Sequence, residues 1–154
     1  MSERSTGWAF VAVQAVLIAA LVVVPAADHY SVPTWLEVAA NACFWSGVVL
    51  AVLAAAFLGR SLTATPVPSA RAALRTSGPY RFVRHPIYTG VVLIVVGLAV
   101  RSGNVIGVVL GLVTLAFFHR KATWEEQRLR ARFAEYDAYA AVTPRFLPRP
   151  WSRR

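Results

Sequence analysis

The sequence predicts an all-α, polytopic membrane protein with about four transmembrane helices and a C-terminal cytoplasmic amphipathic helix. Three observations predict it. Of the 154 residues, 57% are hydrophobic and 15% charged, where a soluble domain is about half apolar and about a quarter charged. The mean hydropathy is +0.54, and the apolar residues come in blocks instead of alternating with polar ones. Nearly all the cationic residues lie in the segments between and after those blocks.

The first block, 8–24, is interrupted only by Gln14 and stops at Pro25. It approaches the roughly 20 apolar residues that a crossing needs. The leader before it holds one Arg and one Glu, a weak basic region, and the block exceeds the roughly 7–15 residues of a signal-peptide core. It therefore reads as a retained helix. The second block, 35–58, has Glu37 near its start and Asn41 and Ser46 inside. After it, 61–69 with Pro66 and Pro68 reads as an extended surface connection. The third and fourth blocks, 87–100 and 105–118, are separated only by Arg101-Ser102-Gly103-Asn104. So short a link implies an antiparallel helical hairpin. Its arms are short and need residues 86–88 and 119–121, or a thin membrane, to span. Gly103, Gly107 and Gly111 recur every fourth residue, as a close-packing face of the fourth helix does. Beyond the hairpin, 124–140 reads as an amphipathic helix with Leu129, Phe133, Tyr136 and Ala140 in one apolar stripe. Glu125 and Glu126 fall on the shoulders of that stripe, with Arg132 beside Glu125.

Charge supplies the orientation. The net charge is +9, and fourteen of the sixteen Lys and Arg residues lie in 59–86 or after residue 118. The loops 25–34 and 101–104 hold only Arg101. Cationic loops stay in the cytoplasm, so four crossings place both termini there, in a cell membrane. A nucleic-acid binder gathers its basic residues on one soluble face, which this distribution does not do. The lone Cys43 lies in an apolar block and reads as a small buried side chain. His29, His85 and His119 show no zinc-type spacing, so no structural metal is expected.

Two polar clusters border the hairpin, and its return brings them to the same side of the membrane. The first is Gly78-Pro79-Tyr80-Arg81-Phe82-Val83-Arg84-His85-Pro86-Ile87-Tyr88-Thr89-Gly90. Gly78-Pro79 signals a turn, and Pro86 suits the first position of the third helix, with His85 at its cap. Arg and Tyr at this depth also serve as interfacial anchors, which is the plain structural alternative. The second cluster is Glu125-Glu126. Its plain alternative is a surface pair of Glu126 with Arg130 at i, i+4, which accounts for Glu126 better than for Glu125. A carboxylate bordering a buried face needs a cation or donor to meet it.

The order of these residues resembles the isoprenylcysteine carboxyl methyltransferase family and its phospholipid and small-thiol methyltransferase relatives. The resemblance covers about residues 74–148: Gly-Pro-Tyr-Arg-x-Val-Arg-His-Pro-x-Tyr-x-Gly, a short hairpin, then Glu-Glu-x-x-Leu-x-x-x-Phe-x-x-Tyr-x-x-Tyr, and a closing Arg145-Phe146-Leu147-Pro148. Ala134 departs from the pattern, which often has Gly after the Phe. The resemblance implies one membrane methyltransferase domain over 1–154, with two N-terminal helices in 8–58 and a cofactor-binding region in 74–148. It implies S-adenosyl-L-methionine as cofactor, held by Tyr80, Arg84, His85, Pro86, Tyr88 and Glu125. Glu126 and Arg132 are the implied catalytic residues, Arg132 by orienting an anionic substrate.

Physical chemistry agrees with that transfer. A sulfonium cation suits carboxylates and aromatic faces, and methyl transfer relies mainly on positioning two reactants. The implied partner is a lipid-like or small hydrophobic acceptor, entering from the bilayer between the first two helices and the hairpin. Two other functions fit a membrane helix bundle: a nicotinamide-dependent reductase with a related C-terminal fold, and a non-catalytic anchor.

Overall fold

The computed structural model describes residues 3–23, 30–59, 62 and 73–148. Its regular elements are all helical: α1 (Glu3–Val23), α2 (Thr34–Leu58), a 3-10 turn (Gly78–Arg81), α3 (Pro86–Arg101), α4 (Val105–Arg132) and α5 (Tyr136–Val142). The all-α membrane architecture is as the sequence predicts. α1, α2 and α4 are long and apolar enough to cross a membrane, and α3 is a shorter apolar helix. At 1.5 Å per residue α3 is about 24 Å long, less than a hydrocarbon core of about 30 Å. Large apolar side chains face outward; Trp35 is 71% exposed, and Val16, Val38, Trp45 and Val52 are exposed as well. An apolar surface this extensive requires lipid as its solvent. The extended connection expected over 61–69 lies outside the described residues, Leu62 excepted.

α2 and α3 run antiparallel and form the most extensive helix pair. The residues that α2 buries, Ala40, Gly47 and Ala54, are seven apart and so lie along one line of the helix. Opposite them stand Gly97 and Gly90. A Cβ on Gly90 would lie 2.6 Å from the Gly47 carbonyl oxygen, and one on Gly97 2.7 Å from that of Ala40. Ala54, the third, accepts a hydrogen bond from the Tyr80 hydroxyl at 3.3 Å. In lipid, helices gain little from the hydrophobic effect, so backbone contact through small residues is what joins them. Cys43 lies in the same seam, its Sγ donating to the Leu93 carbonyl at 3.4 Å.

The hairpin link also forms as expected, with one difference. Gly103 has φ +57° and belongs to the turn, so the glycine face of α4 consists of Gly107 and Gly111. Gly107 packs on Ser102, and Gly111 on Ala99 and Val95. Asn104 caps α4, its side chain accepting from the Ile106 N–H at 2.8 Å. α1 docks on α4 and more lightly on α3. Phe10 packs against Phe117 and Trp124, Glu3 pairs with Arg128 at 3.3 Å, and Gln14 accepts a hydrogen bond from the Lys121 ammonium.

The helix expected over 124–140 is not one element. α4 continues unbroken from the hairpin to Arg132, the backbone extends at Phe133 (φ −119°, ψ 112°), and α5 begins at Tyr136. The stripe Leu129, Phe133, Tyr136, Ala140 is therefore divided between two helices. The reason is spatial: as one helix, residue 143 would lie about 25 Å along the axis from residue 126. The break lets the Ala140 and Thr143 carbonyls return to Arg84, which donates to them at 2.9 and 2.6 Å.

The α2–α3 seam gives a direct test. Gly47→Val places side-chain atoms where α3 backbone stands and lowers stability by about 1–3 kcal/mol. Val49→Ala, on the exposed face of α2, changes it by less than about 0.5 kcal/mol. Thermal unfolding in mild detergent reads both; equal effects would remove the seam as the main contact.

Candidate functional site

The site is built from the segment before α3, the polar half of α4 and the chain after α5. Gly78 adopts φ +60°, where a Cβ would also meet the Phe57 ring, and Pro79 starts the 3-10 turn. That turn buries Tyr80, whose carbonyl accepts from the Tyr139 hydroxyl. Burial raises both phenols, Tyr139 to about 12 against the opposing charge of Arg84, and Tyr80 further, with Glu125 adding to it. Both stay protonated donors at neutral pH. His85 is the N-cap of α3 and Pro86 its first residue, as the sequence predicts. Arg84 and His85 donate their backbone N–H groups to the Pro144 and Arg145 carbonyls at 2.8 and 3.1 Å. Thr89 Oγ1 ties the same segments, donating to the His85 and Phe146 carbonyls.

Glu126 is the hub of this region and is completely buried (0%). Its Oε1 accepts from Arg84 Nε at 3.2 Å and Nη2 at 3.1 Å, and from Arg145 Nε at 3.0 Å. His85 Nε2 lies 3.1 Å from the same oxygen. Oε2 accepts from Arg145 Nη2 at 2.7 Å, completing a two-pronged arginine fork. An ionised carboxylate only accepts, so His85 Nε2 carries a hydrogen here. Arg145 Nη1 continues to Thr123 Oγ1 at 3.1 Å. The pairing expected with Arg130 is the outermost contact, at 4.0 Å, because Arg130 turns to Asp137 at 2.8 Å. Glu126 is thus an interior group and not a member of a surface pair.

Glu125 forms the accessible rim, with 24% of its side chain exposed. Its Oε2 accepts from the Tyr88 hydroxyl at 2.6 Å and lies 3.8 Å from His85 Nδ1. The His85 and Tyr88 rings are parallel, with centroids 5.2 Å apart. His85 therefore stands between an interior carboxylate on one ring nitrogen and a rim carboxylate near the other.

Of the residues singled out from sequence, Tyr80, Arg84, His85, Pro86, Tyr88, Glu125 and Glu126 share this end of the bundle. Arg132 lies at the exposed end of α4, its guanidinium 5.6 Å from the Phe133 ring. Arg145 was not singled out as a site residue, although the closing Arg-Phe-Leu-Pro was its signal. Nor was Lys121, whose partner Gln14 is the one polar break of the first apolar block.

The phospholipid methyltransferase family model matches residues 35–136, from the start of α2 to the first residue of α5. The chain is 30% identical over 118 residues to the nickel-cobalt-cadmium resistance protein NccN of Alcaligenes xylosoxydans xylosoxydans, covering 75% of this chain and 53% of that protein. It is 36% identical over 77 residues to the cobalt-zinc-cadmium resistance protein CzcN of Cupriavidus metallidurans, covering 49% and 36%. It is 35% identical over 77 residues to the protein-S-isoprenylcysteine O-methyltransferase of Schizosaccharomyces pombe, covering 49% and 33%. The chain spans between a third and about half the length of these relatives. The family match contains the Arg84-His85-Pro86 segment and the Glu125-Glu126 pair that the fold brings together. The chain belongs to the phospholipid methyltransferase family.

Proposed function

We propose that this chain is an integral membrane methyltransferase that uses S-adenosyl-L-methionine and methylates a lipophilic or small hydrophobic acceptor. The observation that carries the reading is the convergence of both polar clusters on Glu126, which leaves Glu125, Tyr88 and His85 as a prepared rim. A partly exposed carboxylate beside two stacked rings fits a cationic sulfonium. When bound, the cofactor supplies a methyl group on a positively charged sulfur. Glu125, Tyr88, His85 and Pro86 would hold it, with Tyr80 and Arg84 behind them.

Each residue has a separate task. Glu126 fixes the positions of Arg84, His85 and Arg145, and so the geometry on which an in-line displacement depends. Tyr88 orients the Glu125 carboxylate by donating to it. Arg132, at the exposed end of α4, orients an anionic group of the acceptor. The cationic segments assign this end of the bundle, and both termini, to the cytoplasm, where the cofactor is made. The acceptor arrives through the bilayer between α1, α2 and the hairpin, within a single domain formed by residues 1–154.

Incubating the purified protein with methyl-labelled cofactor and a membrane lipid extract tests the reading. Label entering a lipid-soluble product is expected. No transfer to lipid, thiol or isoprenoid-acid acceptors, together with no binding of S-adenosylhomocysteine, would contradict it. Tyr88→Phe removes a hydrogen bond to a charged group, a change of about 1.5–3 kcal/mol, and so weakens binding of the sulfonium cofactor, S-adenosyl-L-methionine, roughly tenfold or more. Unchanged affinity in a calorimetric titration would take Glu125 and Tyr88 out of the cofactor site.

A further inference from the structure

Lys121 is a buried ammonium that the scheme above does not use. Only 4% of the residue is exposed. Gln14 of α1 accepts one of its N–H bonds, and its Nζ stands 5.0 Å from the Tyr88 ring centroid and 5.8 Å from that of Phe118. Among the described residues, no carboxylate pairs with it within 4.0 Å. Glu125, one turn further along α4, acts on it across that turn but takes its hydrogen bond from Tyr88. An amide oxygen and two aromatic faces ease the burial of a cation but do not neutralise it. Glu126, by contrast, is met by two arginines and a histidine.

The position of this charge is informative. Residues four apart on a helix are neighbours, so Lys121 lies one turn from the Glu125 rim, towards the apolar stretch of α4. It contacts Tyr88, the residue that bonds Glu125, on one side and α1 on the other. A group arriving from the bilayer past α1 would meet this cation before it reaches the rim. Gln14 has no other assigned role in an otherwise apolar block.

We propose that Lys121, held by Gln14, binds an anionic group of the acceptor at the apolar end of the site, a carboxylate or a phosphate on an apolar chain, about 16 Å along α4 from the group that Arg132 meets. The inference rests on the methyl-donor reading for the identity of the site, but its binding test does not. Dodecanoate, dodecyl phosphate and dodecanol are titrated into the purified full-length chain in a neutral detergent. At least one anion is expected to bind about tenfold tighter than dodecanol, as a charge-assisted hydrogen bond predicts, and the better of the two tells carboxylate from phosphate. Lys121→Gln should abolish that preference, while Lys121→Arg should keep it. Equal binding of all three probes by the wild-type protein would overturn the proposal, and so would an anion preference that survives in Lys121→Gln. Wild-type protein that binds the anions through Lys121 but not S-adenosylhomocysteine would support the anion site and overturn the methyl-donor reading.

Discussion

Moving a carboxylate out of water costs several kcal/mol unless charges and hydrogen bonds replace the water it loses. Glu126 is in that position, and the surrounding chain is arranged to compensate it. Arg84 and His85 come from the segment before α3, and Arg145 from the segment after α5. Because one carboxylate needs all three, the two ends of the C-terminal half are held together although they are about sixty residues apart in sequence. The break at Phe133 and the return of α5 follow from the same requirement, since Arg84 also holds the Ala140 and Thr143 carbonyls.

The lipid solvent explains the rest of the architecture. Apolar side chains gain little by turning inward when the surroundings are equally apolar, so the interior between α2 and α3 is lined with small residues. That seam fixes α3 against α2, and α3 begins at Pro86, next to the hub. Packing and site chemistry are therefore coupled through one helix: Gly90 holds its first turns on α2, while His85, Tyr88 and Thr89 face the carboxylates and the C-terminal segment.

The fold class and four of the five helices were legible from hydropathy, because membrane helices appear as contiguous apolar blocks. The Pro86 start and the Asn104-side link of the hairpin were legible from local turn chemistry. The heptad of Ala40, Gly47 and Ala54 is not legible in hydropathy, since alanine and glycine inside an apolar run carry little signal. The continuation of α4 through residues 119–132 was hidden by the change from apolar to charged composition. Which glutamate is buried could not be read from helical phase alone. Glu125 and Glu126 are equivalent shoulders of a stripe until Arg145 and Arg84 are brought to one of them. Those contacts are long-range in sequence, and a helical wheel does not contain them.

The central claim is that Glu126 joins the two motifs, and a double-mutant cycle of Glu126→Gln with Arg145→Gln measures that link. Thermal unfolding of the four proteins in detergent gives the coupling. Removing Glu126 alone leaves two part-buried arginines and the buried His85 unmatched and should cost about 3–5 kcal/mol. The double variant should be less destabilised than the sum of the single ones, by about 1–3 kcal/mol. Additive effects, or a Glu126→Gln variant as stable as the wild type, would contradict the account.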